Sequence, residues 1–384
     1  MGTDVSSFKD VYKTAIKSDF PEKISLVIGD KKYDLNYVPF ALRYGTNPHQ
    51  PFAAYAPGFH QNLCLGNLEM LKGGKAGLSL TNLQDMSQAL NLLKYFKRKA
   101  CAVMKHVNPC GFKVETQEES LDQVYRVARD CDSRSAFGSV VAFNIKVDKP
   151  TAEAIMETFV EGVIAPDFEP DALEVLKKTE DTKKLNNSIR VAKYFNLDTI
   201  PKYVGDDTTG YYNLRNLADG SLTLETPYLT RIKSVSDFIT DPMIPNTNPD
   251  KNDGKDITIN RQPSEKELDD GLTAWYINIS VRSNGIVFVK NGAAIAVGTG
   301  EQERVGAVEQ AIDKAKKKGH NLQDSVLSSD AFFPQRDSID TIAKEGVRAV
   351  IWPAGSLKDG DIITAANDHG MGLMATLERC FLHI

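Results

Sequence analysis

The sequence predicts an α/β fold built as two lobes. Short apolar runs of strand length alternate with stretches that repeat apolar residues at helical spacing. The alternation occurs twice, on either side of a stretch over 201–263 rich in Asp, Asn, Thr, Pro and Gly. Some punctuation recurs as well: SAFG at 135–138 resembles DAFF at 330–333, and VIAP at 163–166 resembles VIWP at 350–353. These repeats read as a faint internal duplication of one α/β unit, with chance similarity as the alternative.

In the first half, residues 99–106 read as a strand, because the apolar run Ala102, Val103, Met104 leads into a Pro/Gly segment. Residues 118–130 read as a helix with Leu121, Val124, Val127 and Ala128 on one face. FGSVVAF at 137–143 reads as a strand, and Pro150 opens a helix over 151–158. A strand at 160–165 and a helix at 170–178 follow. The second half repeats this grammar: a helix over 265–281, a strand over 285–290, the hairpin signal Asn291-Gly292, and a strand over 294–297. Next come helices over 305–317, 338–345 and 359–369, with strands at 347–352 and 372–375. The Lys316–Lys318 run falls in a last helical turn before Gly319, where cations suit the helix dipole. The expected division is an N-terminal extension over 1–39, a first lobe over 40–200, a loop-rich connecting insertion over 201–263 and a second lobe over 264–384. Within the insertion, residues 241–256 read as an exposed loop.

Composition narrows the function. At 384 residues the chain is too long for one simple core. Its 41% hydrophobic and 25% charged content is that of an ordinary soluble globular protein. A net charge of -5 without a long basic block argues against nucleic-acid binding through phosphate neutralisation. No apolar run approaches the ~20 residues of a membrane span, and MGTDVSSFKD has no signal-peptide core. The five cysteines (Cys64, Cys101, Cys110, Cys131 and Cys380) are widely spaced with no CxxC, so neither a disulfide framework nor a zinc knuckle is expected. A reducing cytoplasm is the expected setting.

Lys105 to Gly111, KHVNPCG, is the densest chemical segment. A strand would deliver a fixed cation and an imidazole to a turn stiffened by Pro109 and bent at Gly111. The same string also fits a solvated Lys-His pair before an ordinary turn. LRYGTNPHQ at 42–50 offers Arg43 and Tyr44 for a phosphate, or is a polar surface turn. GGKAGLSLTNLQD at 73–85 hints at an anion nest but lacks P-loop spacing. VRSNGI at 281–286 places Asn284 at a helix-to-strand joint, where it can bind a carbonyl or cap the helix. SSDAFFPQRD at 328–337 sets Phe332 and Phe333 beside Asp337, as a heterocycle wall or as core with a helix cap. Arg379 stands near the chain end.

Taken together, LRYGTNPHQ, KHVNPCG, SAFG, VEGVIAPDFEPDAL, SNGIVFVKNG, VGTGEQER and SSDAFFPQRD occur in one order and resemble the transformylase domain of the bifunctional purine-biosynthesis enzymes. Those enzymes formylate aminoimidazole carboxamide ribonucleotide (AICAR). The resemblance covers roughly residues 40–384 and implies two lobes, each like a cytidine deaminase. Zinc deaminases carry His-x-Glu and Pro-Cys-x-x-Cys, whereas this chain has His106-Val107-Asn108 and Pro109-Cys110 only, so no zinc is expected. The cyclohydrolase domain of the bifunctional form is not expected here, which assigns ring closure to a separate IMP cyclohydrolase protein.

By motif position the resemblance implies His106 as the proton-transfer residue, Lys105 as its electrostatic partner and Asn284 as an amide at the reacting groups. Arg43, Tyr44 and Arg379 match contacts to the substrate phosphate, and Arg304 a contact to the carboxamide. Gly138 and Glu161 match nucleotide-binding segments, and Phe332 or Phe333 with Asp337 the carboxamide and folate side. The implied co-substrate is 10-formyltetrahydrofolate, with room for a bound monovalent cation. The implied assembly is a homodimer with sites at the subunit interface. Two other readings remain open: a nucleotide-binding homologue without catalysis, and formyl transfer from another one-carbon donor, such as formate with ATP. The chain departs from the pattern at Arg282, Glu303, Gln335 and the RCFLHI tail.

Overall fold

The computed structural model describes residues 19–58, 65–74, 76–179, 186–246 and 254–383. Cys64, Lys75 and part of the loop expected over 241–256 lie outside them. The chain is a mixed α/β structure organised on one eleven-stranded sheet. From the middle of the sheet, the first half runs outward through Asn108–Val114, Ala100–Lys105, Ser139–Phe143, Val160–Ala165 and Arg190–Lys193, with Glu69–Gly73 at the edge. The second half runs the other way through Ala293–Gly298, Ile286–Lys290, Val326–Ser329, Ala349–Trp352 and Gly372–Ala375.

The two halves share one topology. Each opens with an antiparallel hairpin whose second strand lies innermost. A third strand pairs antiparallel with the first strand of the hairpin, and two further strands continue in parallel. Helices Leu80–Leu93 and Glu265–Asn278 precede the hairpins, and Leu121–Asp130 and Arg304–Lys317 follow them. Lys149–Met156 and Pro170–Lys177 in the first half correspond to Asp337–Lys344 and Asp359–Asp368 in the second.

The halves join where Lys113 lies opposite Ala293 in antiparallel register. There Val114 N donates to Gly292 O at 2.9 Å and Lys113 Nζ to Asn291 O at 3.0 Å. This seam turns the second half end for end, which corrects one sequence correspondence. VIAP and VIWP both close a fourth strand and are equivalent. SAFG precedes the third strand of its half whereas DAFF follows it, so those two segments are not equivalent. They share a sheet edge only because the seam reverses direction.

Alternation along the central strands divides the core by face. Ala102 and Met104 join Val287 and Val289 in one cluster beneath the Leu80–Leu93 and Glu265–Asn278 helices, continuous across both halves. Cys101 and Val103 face the helices of the first half, and Ile286 and Phe288 those of the second. The innermost strands come very close to the helices that follow them. A Cβ at Gly111 would run into the Ala128 carbonyl, and one at Gly298 into the Ala307 carbonyl.

Local signals set most boundaries. Asp148 accepts from Thr151 N at 3.0 Å and starts its helix at Lys149, so Pro150 sits inside the first turn rather than before it. The Leu80–Leu93 helix begins inside the GGKAGLSLTNLQD segment, where the sequence suggested an anion nest, and runs on through residues that carried no expectation. Ser79 and Asn82 form a reciprocal capping box, and Asn82 and Asp85 are buried polar residues that obscured the helical stripe. The connecting insertion is more ordered than expected: Asn213–Asn216 pairs with Leu222–Glu225, and Met243–Ile244 with Ile257–Thr258. A small sheet of Lys23–Ile28, Lys31–Tyr37 and Tyr55–Pro57 crosses the boundary expected at residue 39.

Gly111→Ala tests the close approach of strand and helix. The added methyl overpacks the interface and should cost about 1–3 kcal/mol of stability. Urea unfolding would read this as a lower midpoint at unchanged slope, and an unchanged midpoint would contradict the packing described here.

Candidate active site

Lys105 and His106 lie at one end of the central hairpin. The expected turn over 108–111 is not there. Asn108, Pro109 and Gly111 belong to the second strand, and the reversal is made by His106 and Val107 alone. Both have left-handed backbones, with φ of 54° and 64°. A two-residue hairpin turn needs this geometry, yet it is unfavourable for a β-branched residue. Asp85, buried on the Leu80–Leu93 helix, holds the turn by accepting from Val107 N at 2.6 Å. Burial pushes the Asp85 carboxyl up, opposed by the Val107 amide and the charges of His106 and Lys105.

Asn108 ties this turn to the second half. Its Nδ2 donates to His106 O at 3.2 Å. Its Oδ1 accepts from Arg282 N at 3.1 Å and from Thr299 Oγ1 at 3.0 Å. The imidazole of His106 is left exposed. Lys105 Nζ donates to Gly138 O at 2.6 Å and to Phe137 O at 3.3 Å, so its ammonium is aimed at SAFG.

Successive strands present a row of groups along this edge. Lys105 ends one strand, Gly138 precedes the next, Glu161 lies at the start of the third and Arg190 opens the fourth. Above the row, Arg43 is buried with Nη2 donating to Tyr44 Oη at 2.9 Å and the guanidinium 4.4 Å from the Tyr44 ring centre. Leu80 N donates to Tyr44 O at 2.9 Å, which brings the start of the Leu80–Leu93 helix to the same place. Asn82 Nδ2 donates to Glu161 Oε2 at 2.8 Å. Arg190, Asn82 and Asp85 are not candidates from the sequence. Arg190 lies in a segment without a motif, and Asn82 and Asp85 lie in GGKAGLSLTNLQD, where the signal was an anion nest at the glycines.

A second cluster comes from the other half. Asn284 Nδ2 donates to Glu301 O at 2.8 Å and to Gln302 O at 3.1 Å, while Oδ1 accepts from Arg304 Nη2 at 2.5 Å. The carboxamide is therefore engaged at both ends, and its direct effect is to orient Arg304. Arg304 also pairs with fully buried Asp330 and donates to Ser329 Oγ at 3.1 Å. Asp330 Oδ2 accepts from Ser283 Oγ at 2.6 Å and from Gly285 N at 2.8 Å. The Phe381 ring lies 5.8 Å from the Arg304 guanidinium and 4.9 Å from that of exposed Arg379.

The aromatic pair separates. Phe333 is fully buried in the core, which removes it as a wall of the site, whereas Phe332 is exposed. Asp337 is exposed at the start of its helix, where its carboxylate accepts from Ser338 N at 2.7 Å. Beside Val107 a cavity of about 560 Å³ opens between Gln84, Gln88, Tyr212 and His383. Among the described residues no group of three or more His, Cys, Asp or Glu could hold a metal ion. Burial pushes the Cys131 thiol up to about 12 and raises Cys110 further, away from the thiolate that ligation or nucleophilic attack needs.

Gly138 has a left-handed backbone, φ 72°, and a Cβ there would lie 3.0 Å from Lys105 Nζ. Gly138→Ala should therefore cost about 1–2 kcal/mol and displace the ammonium from its carbonyl. Competitive acylation read by mass spectrometry should show Lys105 reacting faster in the variant; equal rates would show that Gly138 does not hold it.

A family model described as AICARFT/IMPCHase bienzyme matches residues 6–314. The bifunctional purine biosynthesis protein PurH of Persephonella marina is 37% identical over 97% of this chain and 65% of its own length. PurH of Caldicellulosiruptor saccharolyticus is 33% identical over 100% of this chain and 67% of its own. PurH of Magnetococcus marinus is 35% identical over 89% and 59%. The chain thus spans 65% of the first of these relatives. A solved Thermotoga maritima structure, a diaminohydroxyphosphoribosylaminopyrimidine deaminase/5-amino-6-(5-phosphoribosylamino)uracil reductase, matches 26% of this chain and 32% of its own at 26% identity. Its TM-score of 0.21 is too low to bear on the fold. Among the described residues no helix is long and apolar enough to cross a membrane. The family model and the extent of identity together place the chain in the AICARFT/IMPCHase family of purine-biosynthesis proteins.

Proposed function

We propose that this chain is an AICAR formyltransferase, moving the formyl group of 10-formyltetrahydrofolate to the 5-amino group of AICAR. The products are formamido-AICAR and tetrahydrofolate, within de novo IMP biosynthesis. The observation that carries the reading is the His106–Val107 turn, which presents an imidazole beside a lysine and is tied by Asn108 to the Asn284–Arg304 segment.

The chemistry explains the residue types. The arylamine is a weak nucleophile because its lone pair is delocalised into the imidazole and carboxamide. Its nitrogen bonds to the formyl carbon, and the bond from that carbon to N10 of the folate breaks. The amine proton passes to the His106 imidazole and returns to the departing N10, a transfer that contributes about 10²–10⁴-fold. Lys105 supplies positive charge where the tetrahedral oxyanion forms. Asn284 acts through Arg304, which faces the carboxamide. Arg43, Tyr44 and Arg379 take the phosphate, Gly138 and Glu161 the ribose side, and Phe332 with Asp337 the folate side.

The matching strand order of the two halves supports reading them as a duplicated, cytidine-deaminase-like unit without zinc. A homodimer, a cytoplasmic setting and a bound monovalent cation complete the proposal.

The test supplies purified chain with AICAR and 10-formyltetrahydrofolate and follows tetrahydrofolate by absorbance, with formate plus ATP as a separate arm. AICAR-dependent tetrahydrofolate is expected in the first arm, and neither ADP nor formamido-AICAR in the second. His106→Ala should lower turnover about 10²–10⁴-fold with AICAR affinity unchanged within a few-fold. AICAR binding without turnover by the unaltered chain would instead make it a binding homologue.

A further inference from the structure

From the sequence, Lys318 is only a cation suited to a helix end, yet its ammonium crosses to the other half of the chain. The Arg304–Lys317 helix starts at the second cluster of the site, where Arg304 meets Asn284 and Asp330. Midway, Gln310 Oε1 accepts from Thr299 N at 2.9 Å, and its Nε2 donates to Glu301 Oε1 at 2.8 Å. These bonds fix the loop whose carbonyls hold Asn284. Just past its end the helix reaches the first half: Lys318 pairs with Asp132, and His320 Nε2 donates to Cys131 O at 2.8 Å.

Asp132 leads directly into SAFG. It caps the short Ser133–Ala136 helix, with Oδ1 accepting from Ser135 N at 3.0 Å and Oδ2 from Ser135 Oγ at 2.7 Å. The same Oδ2 takes the Lys318 ammonium. Ala136 N donates to Asp132 O at 2.8 Å, and the next two residues, Phe137 and Gly138, supply the carbonyls that hold Lys105 Nζ. One carboxylate and one helical turn therefore connect Lys318 to Lys105.

The pair is sheltered, with 12% of the Asp132 side chain and 24% of that of Lys318 exposed, so it is weakened less by solvent than a surface pair. Burial pushes the Asp132 carboxyl up, but its bonds to Lys318 and Ser135 outweigh this and hold it below its usual range. The charge of Lys314 also acts near Asp132, but its ammonium is bonded to Val297 O and Gln310 Oε1. Without Lys318 the carboxylate would lose the ammonium that bonds it and turn toward water.

We propose that Lys318 is a positioning residue for Lys105, fixing through Asp132 the two carbonyls that aim the Lys105 ammonium. The second half of the chain thereby sets the cation of the first. Its effect on turnover rests on the formyltransferase reading above, whereas its effect on the placement of Lys105 does not. The plain alternative is a brace between the halves that leaves SAFG where it is.

Competitive acylation of the full chain, read by mass spectrometry, separates the two. It compares the wild type with Lys318→Met, Lys318→Arg and Asp132→Asn, using buried Lys94 as the gauge of general opening. Asn at 132 keeps an acceptor for Ser135 N and removes the charge. Lys318→Met and Asp132→Asn should each raise the ratio of Lys105 to Lys94 labelling about three- to ten-fold, as for the loss of one hydrogen bond. The double variant should be no worse than either alone, and Lys318→Arg should keep the wild-type ratio. AICAR-dependent turnover should fall about ten- to a hundred-fold in Lys318→Met, with AICAR affinity unchanged within a few-fold. A lower melting temperature with an unchanged labelling ratio would overturn the proposal in favour of the brace. If the wild type makes no tetrahydrofolate, the formyltransferase reading fails, and the labelling ratio still decides the placement of Lys105.

Discussion

The left-handed turn at His106 and Val107 is the constraint around which the site is arranged. A β-branched residue resists that conformation, so its surroundings must hold it there. Asp85 holds it from below by accepting the Val107 amide, and Asn108 holds it from the side through Arg282 and Thr299. The two restraints come from different halves of the chain. The backbone of the turn is thus held from both halves of the chain, and the imidazole it carries is exposed to solvent.

The antiparallel seam explains why one chain can build such a site from two similar units. Reversing the second half brings the C-terminal end of its third strand to the edge where the first half has the N-terminal ends of its parallel strands. Gly138, Glu161 and Arg190 come from one set of ends, and Asp330 with its Arg304 partner from the other. Equivalent positions in the two units therefore do different work. The second hairpin turn, Asn291-Gly292, lies at the opposite edge, where Asp270 accepts both its amides at 3.0 and 2.7 Å. It supports the seam and carries no titratable group.

Much of this was legible in the sequence. Strands such as Val160–Ala165 and Gly372–Ala375 are short apolar runs with clear boundaries, and both appear where the pattern puts them. The Leu80–Leu93 helix was hidden because Asn82 and Asp85 occupy its buried side, where an apolar stripe would normally show. The turn was misplaced because Pro109 and Gly111 are common turn residues, whereas Val107 is not. Pro109 in fact lies beside a register shift in the pairing of the two strands, and Gly111 is required by the helix backbone packed against it. Lys105, Gly138 and Glu161 each stand in a motif and lie along one sheet edge. Arg190 could not be found in this way, because its place in the row comes from lying one strand beyond Glu161, a relation that local sequence does not encode.

A crystal structure of the chain soaked with AICAR tests the central claim most directly. The account predicts the nucleotide lying along the sheet edge, with its 5-amino group within hydrogen-bond reach of His106 and its phosphate beside Arg43 and Tyr44. Density for AICAR in the cavity between Gln84, Gln88 and His383, with the Lys105–Arg190 edge empty, would contradict it.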